Sequence, residues 1–283
     1  MKKLIVLLFA GAMVFCIAPV KTEAQIVNGA YKRQDVIQRK PMSLPTVREA
    51  DVFWSKMIWR IVDMREKMNQ PLYYPTIEID GRKNLVSLLM EGIENGLITA
   101  YDARYDDDFK IPITFQEVKD QFGAETRVEQ VRNFETGEME ERQIAGEVRL
   151  DEVKRLMIKE EWYFDKQNST LNVRVVGLCP IREYVRSDDP SEQVQRTQLF
   201  WVYYPEIREL LATNEAYNPY NDAQRMTFDD LFVKRYFTSY VIQESNTYNN
   251  RAISQYLAGK EAMYESQRVE DEIFNFEQDL WEY

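Results

Sequence analysis

Between Glu161 and Pro205 the chain concentrates residues that suit a pleated, half-buried surface. Two segments there, Leu171 to Tyr184 (LNVRVVGLCPIREY) and Leu199 to Pro205 (LFWVYYP), are dense in Val, Ile, Tyr, Phe and Trp. In the first, Leu171, Val173 and Val175 alternate with Asn172 and Arg174, the period of a strand. The expected fold class is therefore α+β, with a small central antiparallel sheet (about 171–184 and 199–205) covered by amphipathic helices. The polar run Arg186 to Gln198 between the strands, with its Asp, Ser and Pro, reads as a solvated loop.

The flanking sequence reads mostly as helix. Thr46 and Glu49 have the spacing of a capping box, and Trp54, Met57, Ile58, Ile61, Met64 and Met68 recur every three or four residues, which predicts a helix to about Met68. Asn69-Gln70-Pro71 stops it, Leu72 to Pro75 continues as an extended segment, and Thr76 to Asp80 alternates as a short strand. Asn84 to Leu97 is helical, with Gly92 and Gly96 implying close packing or an early end. A second capping box, Thr114 to Glu117, opens a helix towards Phe122. Arg127 to Ile144 is expected as an exposed charged hairpin turning at Glu135 to Glu138, and Leu150 to about Glu161 as another helix. Beyond Pro205 a helix ends by Asn214, Asn218 to Asp222 turns, and Thr227 to Asp230 caps a helix in which Leu231, Phe232, Tyr236, Phe237 and Tyr240 pack inward. Arg251 to Tyr283 is helical and divides at Gly259. From Glu261 it is strongly acidic, with Ile273, Phe276, Leu280 and Trp281 as an apolar stripe that needs a cover, for which we expect another chain.

Tyr73-Tyr74-Pro75 and Tyr203-Tyr204-Pro205 are each followed by a helix, an Ala-Tyr pair (Ala100-Tyr101, Ala216-Tyr217) and a Thr-Phe helix cap (Thr114-Phe115, Thr227-Phe228). A duplicated unit, about 46–160 and 161–260, would produce this order; so would coincidence among frequent aromatics. The expected layout is a signal peptide (1–24), an extended arm (25–45), an α+β domain (46–260) and an acidic C-terminal helix (261–283).

Met1-Lys2-Lys3, the apolar run Leu4 to Val20 and the small-residue exit at Ala24 predict a secretory signal cleaved before Gln25. Lipidation at Cys16 is disfavoured because Phe15 precedes it. No later run reaches the roughly 20 apolar residues of a bilayer span. Cleavage removes three lysines and one glutamate, moving the net charge from −11 to −13. Such an acidic protein is a poor partner for nucleic acid or an anionic membrane surface. The chain has no histidine, which removes Ser-His-Asp and Cys-His catalysis and His-ligated zinc. Cys179, in an apolar setting, reads as an inert buried thiol, and the consecutive Asp106, Asp107 and Asp108 lack the alternation of a calcium loop. Neither cofactor nor metal is expected.

One group of residues carries a resemblance. Asp51, Trp54, Trp59, Arg65-Glu66, Asn69 and Pro71 to Pro75, then Trp162 to Asp165, Val173-Arg174, Gly177, Pro180, Phe200 to Pro205, Arg208, Asn221-Asp222, Thr227 to Asp230 and Glu244 to Asn246, resemble in order and spacing the gliding motility protein family GldN, called PorN in non-gliding relatives. The resemblance spans nearly the whole chain after the signal. It implies a non-catalytic periplasmic subunit of the type IX secretion apparatus of Bacteroidota. Such a subunit forms a ring with an outer-membrane lipoprotein of the GldK or PorK type, and is linked to an inner-membrane motor protein of the GldM or PorM type. No catalytic residue comes with it. The candidate contact residues are then Tyr31, Lys32 and Arg33 in the basic arm, Arg127, Arg132, Glu135 and Glu138 in the hairpin, and Glu270, Asp271 and Trp281 in the acidic helix. Opposite charge at the two ends suits head-to-tail contacts. Alternatives from other classes are a secreted glycan hydrolase using paired carboxylates and a calcium-dependent adhesin.

Overall fold

The computed structural model describes residues 39–280 except 80, 105–106, 124–126, 133–138, 145–147, 186–192 and 222, and gives the backbone alone for 127–132 and 139–144. In chain order the elements are β1 (Val52–Asp63), α1 (Gln70–Tyr73), α2 (Leu85–Glu94), β2 (Ala100–Asp102), β3 (Pro112–Ile113), α3 (Phe115–Gln121), β4 (Arg127–Arg132), β5 (Met139–Ile144), β6 (Val153–Asp165), β7 (Thr170–Val185), β8 (Val194–Gln198) and β9 (Phe200–Tyr203). Then follow α4 (Tyr204–Thr213), β10 (Glu215–Ala216), β11 (Met226–Thr227), α5 (Phe228–Val233), β12 (Tyr240–Glu244) and α6 (Lys260–Asp279). The class is α+β, and its sheet is larger than the two segments the sequence marks. Eight strands pair antiparallel in the order β12-β1-β6-β7-β9-β2-β3, with β8 on the other half of β7.

Two segments expected as helices are the central strands. β1 pairs with β6 from Val52↔Asp165 to Asp63↔Arg155, and β6 continues onto β7 from Val153↔Arg182 to Asp165↔Thr170. Directly opposed residues in an antiparallel pair share a face. Ile58, Arg60 and Val62 thus lie on one face with Leu156, Ile158 and Glu160, while Trp59 and Ile61 lie on the other with Met157 and Lys159. Both faces are covered, so the apolar residues of β1 run together without a period of two, and every third or fourth one imitates a helical stripe. The aromatic and β-branched density of Val52, Phe53, Trp54, Ile58, Trp59, Ile61 and Val62 decides for the strand. β8 corrects the loop reading of its segment: Val194 to Gln198 pairs with Val185 to Ile181. The helix expected to carry Tyr236, Phe237 and Tyr240 ends at Val233; Tyr240 opens β12, and only Phe237 of the three is buried. Leu72-Tyr73 is helical rather than extended, and Thr76 to Asp80 shows only an isolated bridge between Ile79 and Arg82.

The locally encoded helices stand where their caps are. The Asn84 side chain accepts from the Ser87 amide at the start of α2, and Thr114 and Thr227 complete capping boxes with Glu117 and Asp230. Pro205 lies in the first turn of α4, where its missing N–H costs nothing. A Cβ at Gly92 would stand 2.7 Å from Leu210 Cδ2, so this glycine permits the close approach of α2 and α4. The expected hairpin forms between β4 and β5, with Arg127 opposite Ile144 and Arg132 opposite Met139. The order helix, short strand, short strand, capped helix occurs twice, as α2-β2-β3-α3 and α4-β10-β11-α5. In each, an alanine (Ala100, Ala216) pairs with the residue before the capping threonine (Ile113, Met226).

Val62, Leu156, Ile158, Leu178 and Val202 of the sheet pack with Leu85, Leu88 and Leu89 of α2, Ile207 and Leu211 of α4, and Phe228 and Phe232 of α5. We call this the helical face. On the opposite face Trp59, Ile61, Met157, Cys179, Ile181 and Trp201 form a second cluster, joined by Phe109 from the β2–β3 connection. Phe109 takes a left-handed backbone (φ 57°) and lays its ring where a Cβ at Gly177 would stand, so that glycine is required.

Candidate interaction surface

Charged residues inside the sheet explain how it tolerates polar strands. Glu160 is fully buried on the helical face, held by Arg60 Nε at 3.2 Å and Arg235 Nη1 at 2.7 Å, and accepts from Trp162 Nε1 at 3.1 Å. Both guanidinium groups also stack on the Trp162 ring. On the opposite face Lys159 is buried between the rings of Trp59 and Phe109, with Asp107 Oδ2 at 3.2 Å, and the same Asp107 oxygen accepts from Trp59 Nε1 at 2.5 Å. Asp107 and Asp108 therefore serve this chain's own lysine. Among the described residues no group of three or more His, Cys, Asp or Glu side chains could hold a metal ion. Cys179 is buried, and burial pushes its thiol far above the ordinary range, so it carries no thiolate at neutral pH.

The acidic C-terminal helix is built into the fold. Val269 and Ile273 of α6 pack with Ile58, Val241 and Ile253, and Phe276 stacks on Trp54 with ring centres 4.7 Å apart. Glu270 Oε1 accepts from Arg60 Nη1 at 2.6 Å, linking α6 to the buried Glu160 group. Lys56 Nζ lies 2.7 Å from Glu244 and 3.8 Å from Glu272. Arg268 bridges Glu265 and Glu272, and its hydrogen bond to Glu265 draws that carboxyl below its usual range. The stripe expected to await another chain is thus covered, at Ile273 and Phe276, by this one. Removing 261–283 would strip the cover from Ile58 and take one of the two carboxylates from Arg60, so truncation perturbs the fold.

The opposite face is finished differently at its β12 end. Asp63, Arg65, Arg155, Glu183 and Arg196 form one charged group there. Arg155 Nε and Arg196 Nε each lie 2.9 Å from Glu183 Oε1, Arg65 Nη1 lies 3.6 Å from Glu183 Oε2, and Arg65 pairs closely with Asp63. The Arg65 hydrogen bonds hold the Asp63 carboxyl below its usual range against the opposing effect of burial. Beside this group runs a groove of about 780 Å³. Ile61, Ile181 and Ile242 form its apolar side, Arg155, Arg196 and Gln198 its basic end, and Ala262, Met263, Ser266 and Gln267 of α6 its far wall. β12 borders it as an edge strand, pairing among the described strands with β1 alone.

The residues nominated from sequence fall in several places. Tyr31, Lys32, Arg33, Glu135, Glu138 and Trp281 lie outside the described residues, and Arg127 and Arg132 are described by backbone only, at the two ends of β4 opposite Ile144 and Met139. Glu270 is turned inward onto Arg60, whereas Asp271 is exposed and accepts from Gln267 Nε2 at 2.9 Å. The described end of the arm is tied to this chain: Arg39 donates to the Arg225 carbonyl, and the carbonyls of Met42 and Pro45 accept from Arg208 and Arg174. Arg208 is anchored in turn by Asp229 at 2.9 Å, which also accepts from the buried Tyr204 hydroxyl. The groove itself went unread in the sequence, because its lining comes from β1, β6, β7, β8, β12 and α6 together. Met263, apolar yet off the buried stripe of α6, was the one local signal.

No helix among the described residues is long and apolar enough to cross a membrane. No curated protein matches the chain. A family model described as gliding motility associated protein GldN matches residues 47–282, from before β1 to beyond the end of α6. That match takes in the sheet, both capped helix pairs, the groove and the C-terminal helix, and the chain accordingly belongs to the GldN family of gliding motility associated proteins.

Proposed function

We propose that this chain is a non-catalytic structural subunit of the type IX secretion and gliding motility machinery, working in the periplasm after loss of residues 1–24. It self-associates into a ring with an outer-membrane lipoprotein of the GldK or PorK type and is coupled to an inner-membrane motor protein of the GldM or PorM type. The observation that carries this reading is the family match over 47–282, which makes the chain a component of that machinery. The arrangement of its charges supports a structural role. Of the buried charged groups, Glu160, Lys159 and Asp229 are engaged in ion pairs that join strands, loops and helices.

The test is to tag the protein in its own host, solubilise the envelope gently, and measure native size and co-purifying proteins together. A megadalton-scale assembly containing an outer-membrane lipoprotein is the expected result. A monomer that brings neither a lipoprotein nor a second copy with it would overturn the reading.

A further inference from the structure

The open-face groove and the outward stripe of α6 are complementary in charge and polarity, and we propose that they are the two halves of one self-contact: the C-terminal half of α6 from one copy lies in the groove of the next. This rests on the self-association proposed above and names its surfaces.

On the groove side, Arg155 and Arg196 line the groove with one carboxylate, Glu270, which is paired with Arg60, and Arg65 stands beside it. The side chains of Arg65 and Arg196 are 53% and 57% exposed, while Glu183 beneath them is 5% exposed. In a chain of net charge −11 this basic, apolar-sided groove is the exception. On the helix side, Asp271, Phe274 and Gln278 recur at three and four residues along one exposed stripe, and Phe274 is 59% exposed. Val269 and Ile273 fix the opposite side of α6 to its own sheet, so this stripe is presented outward on a rigid support. An aromatic anchor beside an acidic group, set on a helix, is the chemistry such a groove takes up: the phenyl ring against Ile61, Ile181 and Ile242, and the Asp271 carboxylate towards Arg196. Each copy carries one groove and one such helix, so the contact can run from copy to copy into the ring proposed above; a reciprocal exchange of the same two patches would instead close as a dimer.

Charge reversal tests the pairing. Self-association of the full chain is followed by sedimentation velocity over a concentration series for wild type, R196E, D271R, F274A and the double variant R196E/D271R. Thermal melting checks that each is folded. Each single change is expected to weaken association at least about tenfold, and the double variant to return to within about threefold of wild type. A wild-type chain that associates but is indifferent to R196E and F274A overturns this inference and leaves self-association standing, as does a double variant no stronger than the singles. A wild-type chain that never associates removes both.

Discussion

On one face of the sheet Val62, Leu156, Ile158 and Leu178 lie beneath α2, α4 and α5, whereas on the other Ile61, Ile181 and Ile242 border a groove with Arg196 at its end and Arg65 close by. β1 and β7 supply residues to both sets, and β12 and β8 add Ile242 and Arg196 to the second. The helical face buries large apolar side chains to completion and sets its carboxylate, Glu160, between two arginines. The open face keeps its carboxylates low and its guanidinium groups high. One face is closed by helices, and the other, over its own buried cluster, leaves charge and apolar surface accessible at its β12 end.

The largest effect should come from the buried ion group. Glu160→Gln removes the buried counter-charge of Arg235 and leaves Arg60 with Glu270 alone, and should cost about 3–5 kcal/mol of stability in chemical denaturation. A loss below about 1 kcal/mol would mean that the face does not depend on that pairing. Next in size, Leu156→Ala opens a cavity under the helices and should cost about 2–5 kcal/mol. Removing a cap is smaller: Thr227→Ala should cost about 0.5–2 kcal/mol, and more than Thr114→Ala, because Thr227 is buried and Thr114 is not. Equal losses would show that burial of the cap adds nothing.

These contrasts also show what the sequence made legible. Caps, stop signals and turns act within a few residues, so α2, α3, α4 and α5 could be read from Asn84, Thr114, Pro205 and Thr227, and the break before α6 from Gly259. β7 could be read because its first half still alternates. β1 and β6 could not, since a strand covered on both faces loses its period, and the charges Arg60, Lys159 and Glu160 look solvent-facing until their distant partners are known. β8 was hidden by its polar composition, VQRTQ, at a sheet edge. The groove depends on six strands and helices and on the segment 252–254, and only Met263 hints at it locally. The inward turn of Glu270 depends on Arg60, 210 residues away.

Acid should act on both faces through lowered carboxyls. Asp63 and Asp102 are each held below the usual range, chiefly by hydrogen bonds from Arg65 and Arg104. Their folded pKa lies below the unfolded value near 3.9, so their contribution is fully present above that pH and is lost as pH falls through the folded value. Melting temperature should therefore drop from pH 5 to pH 3, and Asp63→Asn should flatten part of that slope; an unchanged slope would deny the Asp63–Arg65 pair a role. The smallest effect on stability belongs to the groove wall: Met263→Gln, at an exposed position, should change stability by less than about 0.5 kcal/mol. It should nevertheless weaken self-association, separating the work of the two faces.

Hydrogen exchange compared between the assembled protein and the dissociated subunit tests this division most directly. The account predicts that added protection on assembly appears along β12, β8 and the second half of α6, while the amides of α2, α4 and α5 exchange alike in both states. Protection gained over the α2, α4 and α5 surface, with β12 and β8 unchanged, would contradict it.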